Sequence, residues 1–155
     1  MERTECVKTQ DVKRSFLQGA ETVEALRDVD LTVYKGEFIA LIGESGSGKT
    51  TLLNVLGGLD RPDSGAVYIE GRDITSLTST ELSKMRLKRV GFIFQEYNLI
   101  PVLSAVENVE YVLLLQGVSE KERRERSIAI LDEVGLKGMY GRRPGELSGG
   151  QQQRV

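Results

Sequence analysis

Apolar residues change their spacing several times along the chain, and each change marks an element. From about Glu5 to Val33 the pattern is that of extended segments. Ala25, Leu26, Val29, Leu31 and Val33 supply an apolar side, and Gln18-Gly19-Ala20-Glu21 reads as a hairpin turn. An antiparallel β layer is the expectation. Lys35-Gly36 then turns the chain into Phe38-Ile39-Ala40-Leu41-Ile42, five apolar residues in a row, the pattern of a central strand covered on both faces. From Gly48 a helical run begins and stops at Gly57-Gly58. Arg61-Pro62-Asp63-Ser64-Gly65 forms a turn before a strand at Ala66–Glu70. Further on, the spacing predicts a charged helix at Ser79–Arg89, a buried strand at Gly91-Phe92-Ile93-Phe94, and helices at Ser104–Gln116 and Ser119–Val134. Val106, Val109 and Leu113 fall on the apolar face of the first of these two helices. The mixed charges Lys121–Arg126 read as a solvated helix face.

The junction between the apolar strand and the first helix carries candidate chemistry. Gly43-Glu44-Ser45-Gly46-Ser47-Gly48-Lys49-Thr50 satisfies the phosphate-loop pattern G-x-x-x-x-G-K-S/T. Glycines let backbone N–H groups curl around phosphate oxygens with no Cβ in the way. Lys49 offers a compact positive charge for the β- and γ-phosphates and Thr50 a hydroxyl for Mg²⁺. Thr51 is counted with them, and the helix start adds its positive dipole end. A nucleoside triphosphate is the expected ligand. The loop alone leaves small-molecule kinases, GTPases, helicases and transport ATPases open.

Composition narrows the field from other directions. The 155 residues are 39% hydrophobic and 28% charged, as in one soluble globular domain, and the net charge of −2 is made of interspersed signs. That distribution builds no one-sided positive field, so a nucleic-acid partner is not expected. One cysteine, Cys6, and no histidine leave neither an internal disulfide nor a zinc cluster, and a reducing cytosol fits. The amino-terminal stretch lacks the apolar core of a secretion signal, and Val112–Leu115 is far too short to cross a bilayer. Any membrane contact is expected to run through a partner.

Two further motifs decide among the alternatives. Leu147-Ser148-Gly149-Gly150-Gln151, followed by Gln152-Gln153-Arg154-Val155, puts a hydroxyl and unobstructed N–H groups at a helix head, a second nest for an anion. Phe94-Gln95 places an amide at a strand end. Gln95 lies 45 residues beyond Thr50, and Ser148 a further 53. These three elements in this order resemble the phosphate loop, Q-loop and signature motif of the ATP-binding-cassette (ABC) family. Gly57–Pro62, Phe94–Pro101 and Leu147–Val155 are similar to the branch that serves lipoprotein release and macrolide export, the LolD/MacB group.

The resemblance implies an α/β fold. It would be a P-loop NTPase core of ABC type with an N-terminal antiparallel β layer and an α-helical subdomain, its C-terminal part missing. The chain would be a partial domain, with the β layer and core at about 1–94 and the Q-loop, helical subdomain and signature at about 95–155. It further implies that Phe16 stacks on the adenine where tyrosine is commoner, that Gln95 reaches Mg²⁺ and the attacking water, and that Ser148, Gly149, Gly150 and Gln151 hold the ATP bound by a second subunit. A homodimer and a membrane permease are the implied partners, with ATP and Mg²⁺ as ligands. Leu99-Ile100-Pro101-Val102-Leu103 is the candidate permease contact. The location would be cytoplasmic, on the inner face of the membrane. The competing readings are a soluble ABC ATPase without a permease and a non-catalytic nucleotide-binding module. In the family the Mg²⁺-binding aspartate, the catalytic glutamate and the switch histidine lie beyond the position of Val155. The expectation is therefore an ATP hydrolase as a family member, with a 155-residue chain that is poorly folded and inactive alone.

Overall fold

A computed structural model describes residues 3–155, which form two compact units, one up to Arg86 and the other Leu87–Val155. In the first unit, β1 (Glu5–Gln18) and β2 (Glu21–Tyr34) make an antiparallel hairpin closed at Gly19-Ala20, with Gln18 opposite Glu21 and Phe16 opposite Val23. Gly19 has φ 65°, the positive torsion that a two-residue hairpin loop requires. β3 (Ser64–Ile69) pairs antiparallel with the free side of β1, and β4 (Arg72–Asp73) with β3, giving the order β2-β1-β3-β4. β1 bulges between Thr9 and Val12, where Asp11 turns to φ 48°. Gly65 lies against that bulge so closely that a Cβ would stand 2.4 Å from the Asp11 carbonyl oxygen.

Helix α1 (Lys49–Leu56) packs on β1 and β2 and buries Leu52 and Val55, while Thr9, Val12, Leu26, Val67 and Ile69 are the buried sheet positions. Helix α2 (Ser79–Arg89) buries Leu82 and Met85, and both side chains close over Gly58. The second unit is helical. α3 (Ala105–Leu115) and α4 (Glu120–Glu133) pack together around Val106, Leu131 and Leu136, with Val109, Ile128, Met139 and Tyr140 around them. Truncating Leu131 in such a core costs about 2–5 kcal/mol. The first amides of α3 are not left to solvent: Ala105 N–H donates to Arg142 O at 2.7 Å and Val106 N–H to Tyr140 O at 3.0 Å. A single 3-10 turn, Pro144–Glu146, leads to the short α5 (Gly149–Arg154).

The hairpin, the strand before Glu70 and the helices fall where the pattern of the sequence puts them. Two segments do not. Phe38–Ile42 and Gly91–Phe94 pair with no strand, and Phe38, Ile42 and Ile93 are 95, 93 and 94% exposed. A fully apolar strand needs a hydrogen-bonded neighbour and a covering layer on each face, and the described residues supply neither. The second segment keeps its extended period, since Phe92 and Phe94 stack with centroids 5.6 Å apart.

Candidate functional site: a phosphate loop and a glycine-headed helix

Among the longer helices, α1 starts differently from α3 and α4. Ser104 and Ser119 accept hydrogen bonds from the first-turn amides of α3 and α4, and Glu107, Glu120 and Glu122 add negative charge there. The N-cap of α1 is Gly48 at φ 89°, with no side chain to cap the helix and no acidic residue in the first turn. Its positive end is thus presented to whatever fills the loop. Across that end lies the Lys49 ammonium, donating to Gly43 O at 2.9 Å, Glu44 O at 2.6 Å and the Ser47 hydroxyl at 3.2 Å. These oxygens are neutral, so they orient the charge without cancelling it.

Contact requires glycine at position 48, where the neighbour is backbone, and crowds position 43, where it is a serine side chain. A Cβ on Gly43 would meet Ser47 Oγ at 2.8 Å, and one on Gly48 would meet Ala25 O at 2.3 Å. The second contact arises from a bulge in β2. Arg14 pairs with Leu26 and Ser15 with Glu24, which leaves Ala25 as the extra residue, facing the loop. The uncapped helix, the glycine cradle and the exposed Thr50 with the half-buried Thr51 beside it fit a nucleotide phosphate, with Thr50 the residue that could reach Mg²⁺. An open cavity of about 880 Å³ adjoins the loop. Gly43 and Gly46–Lys49 form its phosphate-loop margin, and Arg27, paired with Glu24 at 3.3 Å, also lines it. Leu26 and Val29 of β2, Leu52 of α1 and Ala40–Ile42 of the segment that makes no ladder supply its apolar lining.

Phe16 lies outside that cavity's lining and is 41% exposed. One face of its ring is covered by the Arg14 guanidinium, 4.7 Å from the centroid. The guanidinium is itself clamped. Nε and Nη2 donate to the two Asp60 oxygens at 2.9 and 3.0 Å, and Nη1 donates to Asp63 at 2.7 Å. Asp63 also accepts the Ser15 N–H, and the Arg14 guanidinium, followed by that amide, holds its carboxyl below the usual range. Sequence reasoning missed this clamp, because its partners lie 46 and 49 residues apart. The only signal was an Asp-x-x-Asp turn after a helix.

In the second unit, Gln95 is exposed and lines an open pocket of about 530 Å³ with Tyr97, Asn98, Pro144 and Gln152, among others. Ser148 caps α5. Its hydroxyl accepts the Gln151 N–H at 3.3 Å, and Gln151 Oε1 accepts the Ser148 N–H at 2.8 Å, a reciprocal capping box. Because Ser148 Oγ serves as acceptor in this box, its own proton stays free for another oxygen. Gly149 has Tyr97 close above it: a Cβ would stand 2.7 Å from the Tyr97 hydroxyl. Within this unit the structure therefore brings the Gln95 segment and the Ser148 helix together through Tyr97, a contact with no signature in the sequence.

The ABC transporter family profile matches residues 26–155. The chain is 50% identical over 152 residues to the macrolide export ATP-binding/permease protein MacB of Sodalis glossinidius, covering 98% of this chain and 23% of that protein. An uncharacterized ABC transporter ATP-binding protein of Thermotoga maritima is 48% identical over 145 residues, 94% of this chain and 62% of its own length. A solved dimeric ATP-binding cassette in a post-hydrolysis state, bound to ADP and Pi, superposes with TM-score 0.90 at 43% identity, covering 96% of this chain and 66% of that one. The chain thus spans less than a quarter of MacB and about two thirds of a cassette. Its architecture, an antiparallel β layer with a phosphate-loop helix and a helical unit, is the α/β cassette fold. By sequence and by fold, the chain belongs to the ABC transporter family.

Proposed function

We propose that the chain is the ATP-binding part of an ABC transporter that couples ATP binding and hydrolysis to transport through a partner permease, on the export or lipoprotein-release side of the family. The observation that carries this reading is α1, a helix capped by glycine, with Lys49 held across its open end by neutral oxygens alone. Gly43–Thr51 would hold the phosphates, with Lys49 as their fixed cation, and Phe16 would offer a ring face to the base. Bound Mg²⁺ would neutralise phosphate charge, with Thr50 and Gln95 as its protein ligands. Ser148, Gly149, Gly150 and Gln151 would face the nucleotide of a second copy, the Ser148 proton being free to donate. The dimeric state of the solved relative supports that pairing.

Functionally the chain divides at about residue 94, with the β layer and phosphate loop before it and the Q-loop, helical and signature segment after it. No helix of the described residues is long and apolar enough to cross a membrane. A permease is the proposed anchor at the inner face, and MacB, named as an ATP-binding/permease protein, supports that association. Val102, 69% exposed between the half-buried Ile100 and Leu103, is the proposed point of permease contact.

ATP titration of the intact protein tests the reading. Lys49→Ala should weaken ATP binding by about ten- to hundredfold, the worth of charge-assisted hydrogen bonds to phosphate. An unchanged affinity overturns the assignment.

A further inference from the structure

Resting on the reading of Phe16 as the base platform, we propose that Arg14 is a positioning residue for the nucleotide base, holding one face of the Phe16 ring so that only the other receives a purine. The guanidinium lies 4.7 Å from the ring centroid, while the ring remains 41% exposed. One face is covered by the guanidinium, and the exposure that remains leaves room for a base on the other. A cation on the covered face draws the π density toward itself and leaves the other face less negative, which favours an electron-rich base stacked upon it.

The same side chain joins the ring to the phosphate-loop helix. Arg14 grips Asp60 through both carboxylate oxygens. Leu59 N–H and Asp60 N–H both donate to Asn54 O, at 2.8 and 3.2 Å, in the last turn of α1. Asp63 N–H donates to Lys13 O at 2.8 Å and its carboxylate accepts the Ser15 N–H, so the turn after α1 is fastened to β1 on both sides of Arg14. The path from ring to phosphate cradle therefore runs Phe16, Arg14, Asp60, Asn54, then α1 back to Lys49, with no long flexible link. A bidentate guanidinium–carboxylate pair fixes direction as well as distance, which lysine in its place could not do. Arg14 in this way sets the separation between base and phosphate subsites.

The test uses the intact protein with two ligands, ATP and inorganic tripolyphosphate, the second carrying phosphates but no base. Arg14→Ala should weaken ATP about five- to tenfold, the worth of one such ring contact, and leave tripolyphosphate affinity unchanged. Arg14→Lys, which keeps a cation near the ring but loses the fork, should restore part of the loss and serves also where the alanine variant folds poorly. In a Phe16→Ala background, Arg14→Ala should have no further effect. Equal weakening of ATP and tripolyphosphate would make Arg14 a merely structural residue and overturn the proposal, as would an unchanged ATP affinity in Arg14→Ala when Phe16→Ala loses it. An unchanged ATP affinity in Phe16→Ala itself would instead overturn the underlying assignment of the ring.

Discussion

Gly48 presses on the carbonyl of Ala25 so closely that a β-carbon would stand 2.3 Å from that oxygen. The phosphate loop is thereby registered against the bulge of β2. Gly48→Ala meets this overlap and a left-handed torsion of φ 89° together, and should cost about 1–3 kcal/mol while displacing the loop. Gly65→Ala meets a comparable overlap, 2.4 Å from Asp11 O at φ 87°, but away from the loop. Calorimetry and ATP titration should show both variants less stable and only Gly48→Ala impaired in binding. Normal ATP affinity in Gly48→Ala would count against the loop geometry.

Phe38–Ile42 donates to no ladder, whereas β1 is paired on both sides, with β2 and with β3. Amide exchange of the 155-residue chain should accordingly be fast along Phe38–Ile42 and slow at Thr9 and Val67, since protection follows hydrogen bonding and burial. Strong protection of Phe38–Ile42 in that chain would show that the segment finds partners of its own and that the expectation of poor folding there is wrong.

Three carboxylates should make stability fall in acid. Glu107 is held below its ordinary value of 4.5 by the Ser104 hydroxyl and then the Ser104 N–H. Glu81 is held below it by the Thr78 N–H and then its hydroxyl, and Asp63 below its own by Arg14 and then Ser15 N–H. Each folded-state pKa lies beneath the unfolded one. The stabilisation is therefore present above the unfolded value and lost as pH falls through the folded one. Thermal midpoints should drop from about pH 4.5 downward, starting at the ordinary value of Glu107. Glu107→Gln should flatten part of that slope, and a slope identical to the parent would remove Glu107 from the explanation.

Much of this was legible because it is local. The turn at Gly19, the helix beginning at Gly48, the helices starting at Ser104 and Ser119 and the helix head at Ser148 depend on residues within four positions of one another. What failed was not local. Five apolar residues at Phe38–Ile42 announce burial, but being a strand is a relation to other strands, and no strand among the described residues pairs with them. The need for glycine at 65 is imposed by Asp11, and the fork of Arg14 by Asp60 across 46 positions. Neither can be seen from the neighbours in sequence.

Asn108 in α3 holds the preceding loop at four points. Its Oδ1 accepts Ile100 N–H at 2.8 Å, and its Nδ2 faces Ile100 O, Leu103 O and Ser104 O at 3.2, 3.1 and 3.0 Å. Residues 100–104 are therefore tied to the helix rather than joined to it by a free linker. If a permease presses on the exposed Val102, as proposed, the force would reach α3 as torque and α4 through the Val106–Leu131 packing.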